Sequence, residues 1–214
     1  MGRCKSLKQT SKINVKATNL CFSYGDQPVL QNVCIELTAD QPVVLLGGSG
    51  MGKTTLLRIL AGLMKADSGS IEGIDKNTRI AVMYQEDRLF PHLTVYKNLK
   101  LIRPGVTQEE AAALLAELNL EPTVLDQLPR ELSGGMRRRV ALARALLFEA
   151  DVVLMDEPFQ GLDVDTRRMA LAAVKKWTEG RPTLVISHEP EDAPALGAKT
   201  LTIAELGGCG QREK

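Results

Sequence analysis

The sequence predicts an α/β fold built around a parallel sheet. Short apolar segments of strand length alternate with segments of helical periodicity along most of the chain, and this alternation indicates parallel strands joined by helices. The apolar run at 43–46 leads directly into a cluster of glycines, as expected of a buried parallel strand that ends at a loop. Earlier, two β-rich runs within 13–38 are separated by Gly25 and Pro28. They predict an antiparallel hairpin with its turn at 25–28.

The other elements are predicted from periodicity and capping signals. A helix is expected at 54–63, where leucines recur at helical spacing before turn residues at 67–69. The strongest helix signal is a capping-box pattern formed by Thr107 and Glu110 ahead of an apolar face. A short strand is expected at 80–84. The later elements are helices at 107–120, 135–148 and 166–177 and strands at 152–155 and 183–187.

Composition bounds the organisation and the partners of the chain. No linker or repeat divides the 214 residues, so we predict one domain over 1–214 with flexible tails at 1–12 and 206–214. The longest apolar runs fall well short of the roughly 20 residues that span a membrane, and the N-terminus lacks the apolar core of a secretory signal. A net charge of +1 and an aromatic content of 4% argue against a nucleic-acid partner.

Residues 47–54 match the phosphate-binding loop pattern G-x-x-x-x-G-K-[ST] at every specified position. The loop follows a predicted strand and precedes a predicted helix, which is the context that this motif requires. Its glycines let backbone N–H groups surround phosphate oxygens, Lys53 supplies a charge for the outer phosphates, and the Thr54 hydroxyl can bind Mg²⁺. The predicted nucleotide-binding residues here are Gly47, Gly48, Ser49, Gly50, Met51, Gly52, Lys53, Thr54 and Thr55.

Two carboxylates follow the apolar strand predicted at 152–155. Asp156 is assigned to Mg²⁺, because proteins with this loop hold the metal with a carboxylate at the end of a neighbouring strand. Glu157 comes next, close to the position of an attacking water, and is assigned as the general base. The alternative is a pair of solvated carboxylates before a proline turn. Beside Lys53, the catalytic interpretation is favoured.

The segment 132–136 reads LSGGM and resembles the signature motif of ABC ATPases, which is most often LSGGQ. The resemblance covers about 13–205. It implies the P-loop NTPase fold of that family, with a parallel core sheet, an N-terminal antiparallel β-subdomain and a helical subdomain inserted at about 87–145. The other motifs of the family, in order, contribute Tyr24, Gln85, Asp163 and His188.

The resemblance implies a role for each of these residues. Tyr24 resembles the aromatic that stacks on adenine, with a half-buried strand tyrosine as the alternative. Gln85 resembles a catalytic glutamine that contacts Mg²⁺ and senses a partner, although a solvated glutamine is also possible. His188 resembles the catalytic histidine that bridges the γ-phosphate and the carboxylate. Asp163 resembles the aspartate that links the two nucleotide sites of a dimer.

The signature segment also implies a second subunit. Ser133, Gly134 and Gly135 are predicted at a helix N-terminus, which can bind phosphate. In the family this element closes over the ATP held by the opposite subunit, so a head-to-tail homodimer is expected. The arginines at 137–139 are interpreted as a solvated or salt-bridged helix face rather than a nucleic-acid contact.

The chain resembles the ATP-binding subunit of a bacterial-type transporter, because it has a single ATPase unit without long coiled coils. The region 84–95 is similar to that of nitrate/sulfonate/taurine-type importer ATPases, a group that includes importers of thiamine precursors. Arg138 departs from their usual glutamine, and the Gln160–Gly161 pair departs from their usual Ser-Ala.

The resemblance implies two further protein partners and a location in the cell, and it leaves two alternative functions open. A polytopic permease is expected to contact the chain, with Phe90 and His92 as candidate contacts, and an extracytoplasmic solute-binding protein would act indirectly. The chain is expected in the cytoplasm, at the inner face of the membrane. The alternatives are a non-transport ABC ATPase in repair or assembly, and a nucleotide-binding scaffold without ATPase activity.

Overall fold

The computed structural model describes residues 13–207. A three-stranded antiparallel sheet at the N-terminal side has the order β2-β1-β4 and consists of β1 (Val15–Tyr24), β2 (Gln27–Leu37) and β4 (Ser68–Glu72). The predicted hairpin of β1 and β2 is confirmed. Its turn is tighter than expected, because Tyr24 pairs with Gln27 and Pro28 already lies in β2.

The second sheet consists of β3 (Val43–Leu46), β5 (Ile80–Met83), β6 (Val152–Asp156), β7 (Thr183–Ser187) and β8 (Lys199–Thr202). It is parallel and has the strand order β5-β6-β7-β3-β8. The predicted fold class is therefore confirmed. Because all carboxyl ends of parallel strands lie at one edge, the loops after β3, β5, β6 and β7 share that edge.

Seven α-helices lie in the described part of the chain. Thr107 and Glu110 form the predicted capping box at the start of α3. One apolar core fills the space between the parallel sheet and the helices, and a second lies between the two sheets. The helices are α1 (Lys53–Leu60), α2 (Val95–Ile102), α3 (Gln108–Glu117), α4 (Gly134–Leu147), α5 (Val164–Thr178), α6 (Asp192–Leu196) and α7 (Ile203–Leu206).

Several elements differ from the sequence-based prediction. The turn expected at 67–69 is wrong, because residues from Ser68 onward form β4 against β1. Gly69 has φ +99°, and a Cβ there would lie 2.6 Å from the carbonyl oxygen of Asn19. Gly69, which suggests a turn in the sequence, thus allows β4 to pair closely with β1. The helix expected at 54–63 also ends earlier, at Leu60.

Leu206 and Gly207 do not belong to the flexible tail predicted at 206–214. Leu206 lies in α7 and is 5% exposed, because α7 packs on β2 and Gly207 bridges to Val33. The sequence patterns did not predict α2, α6, α7 or β8. The remaining tail residues, 1–12 and 208–214, lie outside the described residues. No helix among residues 13–207 has the length and apolarity to cross a membrane.

Candidate nucleotide-binding site

The phosphate-binding loop connects β3 to α1. Gly52 caps α1 with φ +87°, a conformation that L side chains rarely adopt. A Cβ on Gly52 would also lie 2.9 Å from Cγ1 of Val29, so the fold requires glycine for two reasons. Because α1 begins at Lys53, its first N–H groups and the positive end of its dipole face the loop. The loop therefore has the geometry of an anion-binding site.

Lys53 lies within this loop and is only 5% exposed. Its ammonium donates to the carbonyl oxygens of Gly47 at 2.5 Å and Gly48 at 2.7 Å. Burial lowers the pKa of Lys53, while the charges of Glu157 and Asp156 act in the opposite direction. The loop thus holds a buried ammonium group, and the two neighbouring carboxylates oppose the effect of its burial.

Thr54 and Asp156 are distant in sequence but in contact in the structure. The Thr54 hydroxyl donates to Oδ2 of Asp156 at 2.8 Å. Burial raises the pKa of Asp156, the hydrogen bond from Thr54 and the charges of Lys53 and Arg138 lower it, and Glu157 raises it further. A hydroxyl and one carboxylate beside a phosphate site form the sparse oxygen donor set that Mg²⁺ uses, since this ion keeps several waters. The two residues therefore fit a magnesium ion.

Glu157 and His188 form the second pair at the sheet edge. Nε2 of His188 lies 2.6 Å from Oε1 of Glu157, because β6 and β7 are adjacent and each residue directly follows its strand. Glu157 has φ +51°, which is unusual for a residue with a long side chain. Its N–H donates to the carbonyl of Ile186 at 3.0 Å. The structure thus brings together an imidazole and a carboxylate next to the phosphate-binding loop.

Gln85 and Tyr24 are both exposed. Gln85 follows β5, the neighbour of β6, so it lies at the same edge as the two carboxylates. Tyr24 ends β1 and is half exposed, with its ring edge-on to Phe22 at 4.9 Å and its hydroxyl 3.7 Å from the sulfur of Met64. Part of its ring surface therefore remains open to a ligand.

The signature segment forms a separate site. The Ser133 hydroxyl caps α4 by accepting from the N–H of Met136 at 3.2 Å. Asp163 caps α5 in the same way, accepting from the N–H of Thr166 at 3.0 Å, and this bond lowers the pKa of its carboxyl. Among residues 13–207, no hydrogen bond joins Ser133, Gly134 or Gly135 to the loop at 47–54. One chain therefore presents two helix N-termini at different places.

The comparison with protein families decides the identity of this arrangement. The model of the family described as "ABC transporter" matches residues 30–160, a span that includes the phosphate loop, the signature segment and both carboxylates. The chain belongs to the ABC transporter family. It is therefore an ABC ATPase.

Named relatives and solved structures agree with this assignment. The chain is 35% identical over 207 residues to the thiamine import ATP-binding protein ThiQ of Escherichia coli K12, covering 89% of this chain and 88% of that protein. It is 37% identical over 203 residues to the aliphatic sulfonates import ATP-binding protein SsuB 1 of Rhodococcus jostii RHA1, covering 92% and 82%. The dimeric bacterial ABC transporter cassette MJ0796 superposes with a TM-score of 0.77 at 28% identity, covering 90% and 96%.

The arginine run of this ABC ATPase forms the ion pairs that the sequence predicts, from Arg137 and Arg138 to Asp87, but Arg138 is not on a solvated face. Arg138 is 5% exposed, and its guanidinium donates to backbone carbonyls after β5 and at the end of β6. The missed signal is helical spacing, because Arg138 shares a face with Ala141, Leu142 and Ala145, which are all buried. A charged residue on the apolar face of α4 indicates an internal partner.

A second polar network beside the site was also missed. Asp192 is fully buried, and Arg167 binds it through both carboxylate oxygens at 2.7 and 2.8 Å. The Ser187 hydroxyl donates to the same carboxylate at 2.5 Å and accepts from the N–H of Glu189 at 3.1 Å. Ser187 and Glu189 flank His188 in sequence, so this network fixes the loop that carries the histidine. No local sequence pattern predicts this network, because Asp192 on α6 meets Arg167 on α5 only through the packing of the two helices.

Proposed function

We propose that this ABC ATPase binds Mg²⁺-ATP at the loop of residues 47–54 and hydrolyses it with Glu157 as the general base. The observation that carries the proposal is the pairing of Thr54 with Asp156 and of Glu157 with His188 around one loop. Each pair joins residues from different elements, and together they supply the cation site and the base that hydrolysis needs.

Binding is assigned to the loop, its helix and an aromatic side chain. Backbone N–H groups of residues 47–55 and the Lys53 ammonium would hold the phosphates, and the exposed ring of Tyr24 would stack on adenine. Thr54 and Asp156 would hold Mg²⁺, with Gln85 adding a contact from the neighbouring strand end. The ion would neutralise charge on the outer phosphates.

Hydrolysis is assigned to the second pair. Glu157 would accept a proton from the attacking water, and His188 would hold the carboxylate and contact the γ-phosphate. The 2.6 Å separation of Nε2 and Oε1 supports this arrangement. The positive φ of Glu157 supports it further, because strained conformations of this kind occur most often at functional sites.

A head-to-tail homodimer is supported by the glycines of the signature segment. Gly134 and Gly135 begin α4, yet a Cβ on Gly135 would meet nothing within 4 Å and one on Gly134 only the tip of Arg137, at 3.8 Å. Glycine in a helix costs about 1 kcal/mol relative to alanine, and the fold of one chain does not require it here. The second phosphate-binding helix end would therefore close over ATP held by another copy, with Asp163 near the contact.

The transport function is proposed from the relatives. ThiQ and SsuB 1 are import ATP-binding proteins for thiamine and aliphatic sulfonates. The chain would energise uptake of a small solute of the sulfonate, nitrate, taurine or thiamine-precursor type through a separate permease. It would lie at the cytoplasmic face of the membrane, with exposed Phe90 and neighbouring residues facing the permease and a solute-binding protein acting on the outer side.

Glu157→Gln tests the catalytic part of the proposal. The variant should lose hydrolysis and keep ATP affinity, because the amide preserves shape but cannot accept the proton. Arg168→Gln is the matched control, since Arg168 is 80% exposed and pairs with the equally exposed Asp165. Hydrolysis retained in Glu157→Gln would exclude Glu157 as the base.

Purification of the native complex tests the transport part. A polytopic permease that co-purifies with the chain would support import, whereas a nuclease or a ribosome in its place would support the non-transport alternative.

A further inference from the structure

We propose that Arg138 is a positioning residue that holds the loop of Gln85 and the loop of Glu157 in one fixed relation. The proposal rests on the proposed function, because Gln85 and Glu157 receive their roles there. It concerns a position where the chain departs from the glutamine usual in the importer ATPases that it resembles.

The contacts of Arg138 divide evenly between two strands. Nη1 donates to the carbonyls of Tyr84 at 2.8 Å and Gln85 at 2.7 Å, directly after β5. Nη2 donates to the carbonyls of Asp156 at 2.8 Å and Glu157 at 2.5 Å, at the end of β6. A planar guanidinium fixes the angle between its donors. One side chain on α4 therefore connects the two loops that would contact the cation and the water.

The contact with Glu157 bears on its unusual conformation. A residue with φ +51° keeps that conformation only when the surrounding contacts hold it. The N–H of Glu157 is held by Ile186, and its carbonyl is held by Arg138. The two bonds fix the backbone on both sides of the residue and so fix the direction in which its side chain leaves the chain, from which the carboxylate reaches His188.

Arg138 also has an acidic partner in the same region. Its Nη1 lies 3.4 Å from Oδ1 of Asp87. Glutamine is neutral and carries its donors on a single nitrogen, so it cannot reproduce both pairs of contacts. Arginine at position 138 therefore gives the site contacts that the usual glutamine would not make.

The test compares Arg138→Gln, Arg138→Lys and Arg138→Ala with the control Arg168→Gln in the purified full chain. We expect kcat per folded site to fall by about 10- to 100-fold in Arg138→Ala, since small displacements of reacting groups have effects of this size. The KM for ATP should change little, because the loop at 47–54 is untouched. Arg138→Lys should recover only part of the loss, because an ammonium lacks the fork.

Hydrogen exchange supplies a readout other than activity. The amides of 84–86 and 157–160 should exchange faster in Arg138→Gln than in the wild type, while the control should match the wild type. Unchanged kcat per folded site in Arg138→Gln, or full recovery in Arg138→Lys, would overturn the proposal. So would a lower melting temperature with normal turnover in the remaining folded chains.

The two proposals fail in different ways. If Glu157→Gln still hydrolyses ATP, the base assignment fails regardless of Arg138. If Glu157→Gln is inactive and the Arg138 variants keep the wild-type kcat, only the positioning role fails.

Discussion

The two helix N-termini that could bind phosphate are built differently. At the loop of residues 47–54 the fold itself demands the sequence, since Gly52 has a positive φ and lies against Val29. At the signature segment, Gly134 and Gly135 have helical geometry and open space around them. The first segment therefore needs glycine for contacts within the chain, whereas among the described residues no contact at the second segment requires it. Substitutions of glycine should therefore affect stability at the first segment and not at the second.

The largest effect is expected from Gly52→Ala. The new Cβ would combine an unfavourable φ with a close contact to Val29, so we expect a loss of about 2 kcal/mol or more of unfolding free energy together with ATP binding. Chemical denaturation and a nucleotide-binding titration would measure both. Gly50→Ala is the matched control, because Gly50 has φ +80° but open space. Equal stability of the two variants would show that the contact with Val29 is unimportant.

Gly135→Asp should act on hydrolysis alone. Its side chain enters open space at the start of α4, where a negative charge interacts favourably with the helix dipole. We therefore expect normal or slightly raised stability, unchanged ATP affinity of the single chain, and loss of hydrolysis, since the carboxylate would repel a phosphate. A variant that loses stability or ATP affinity would contradict the separation of the two sites.

Two aspartates should respond to pH in opposite directions. Burial raises the pKa of Asp156, so its ionised form destabilises the fold, and Asp156→Asn should raise the melting temperature at neutral pH. The pKa of Asp163 is lowered by its hydrogen bond from the N–H of Thr166, so its ionised form stabilises the fold. Asp163→Asn should therefore lower the melting temperature slightly at neutral pH.

The difference for Asp156 should disappear as the pH falls through its raised pKa to the ordinary aspartate value of about 4, and the difference for Asp163 only as the pH falls further, through its lowered pKa. Melting curves without nucleotide between pH 3 and 7 would measure them. Shifts of the same sign would contradict the contrast between the buried and the capping carboxyl.

Local patterns predicted the parts of the site that are contiguous in sequence. The loop at 47–54, the carboxylates after β6 and the capping box of α3 each depend on a few neighbouring residues, so a single segment is sufficient to identify them. The pairing of Thr54 with Asp156 could be expected from the loop motif but not from strand adjacency, because β7 lies between β3 and β6.

The remaining features depend on packing between distant segments. Arg138 on α4 contacts the carbonyl of Tyr84, which follows β5, and Asp192 on α6 binds Arg167 on α5. β4 was missed because Gly69 predicts a turn when read locally. These features depend on which elements become neighbours in the fold, and local patterns in the sequence do not show this.

We propose that the signature glycines act on ATP bound by another copy. Light scattering with Mg²⁺-ATP would give the molar mass of Glu157→Gln alone and combined with Gly135→Asp. We expect a dimer for the single variant and a monomer that still binds ATP for the double variant. A double variant that remains dimeric, or a single variant that remains monomeric with ATP bound, would contradict it.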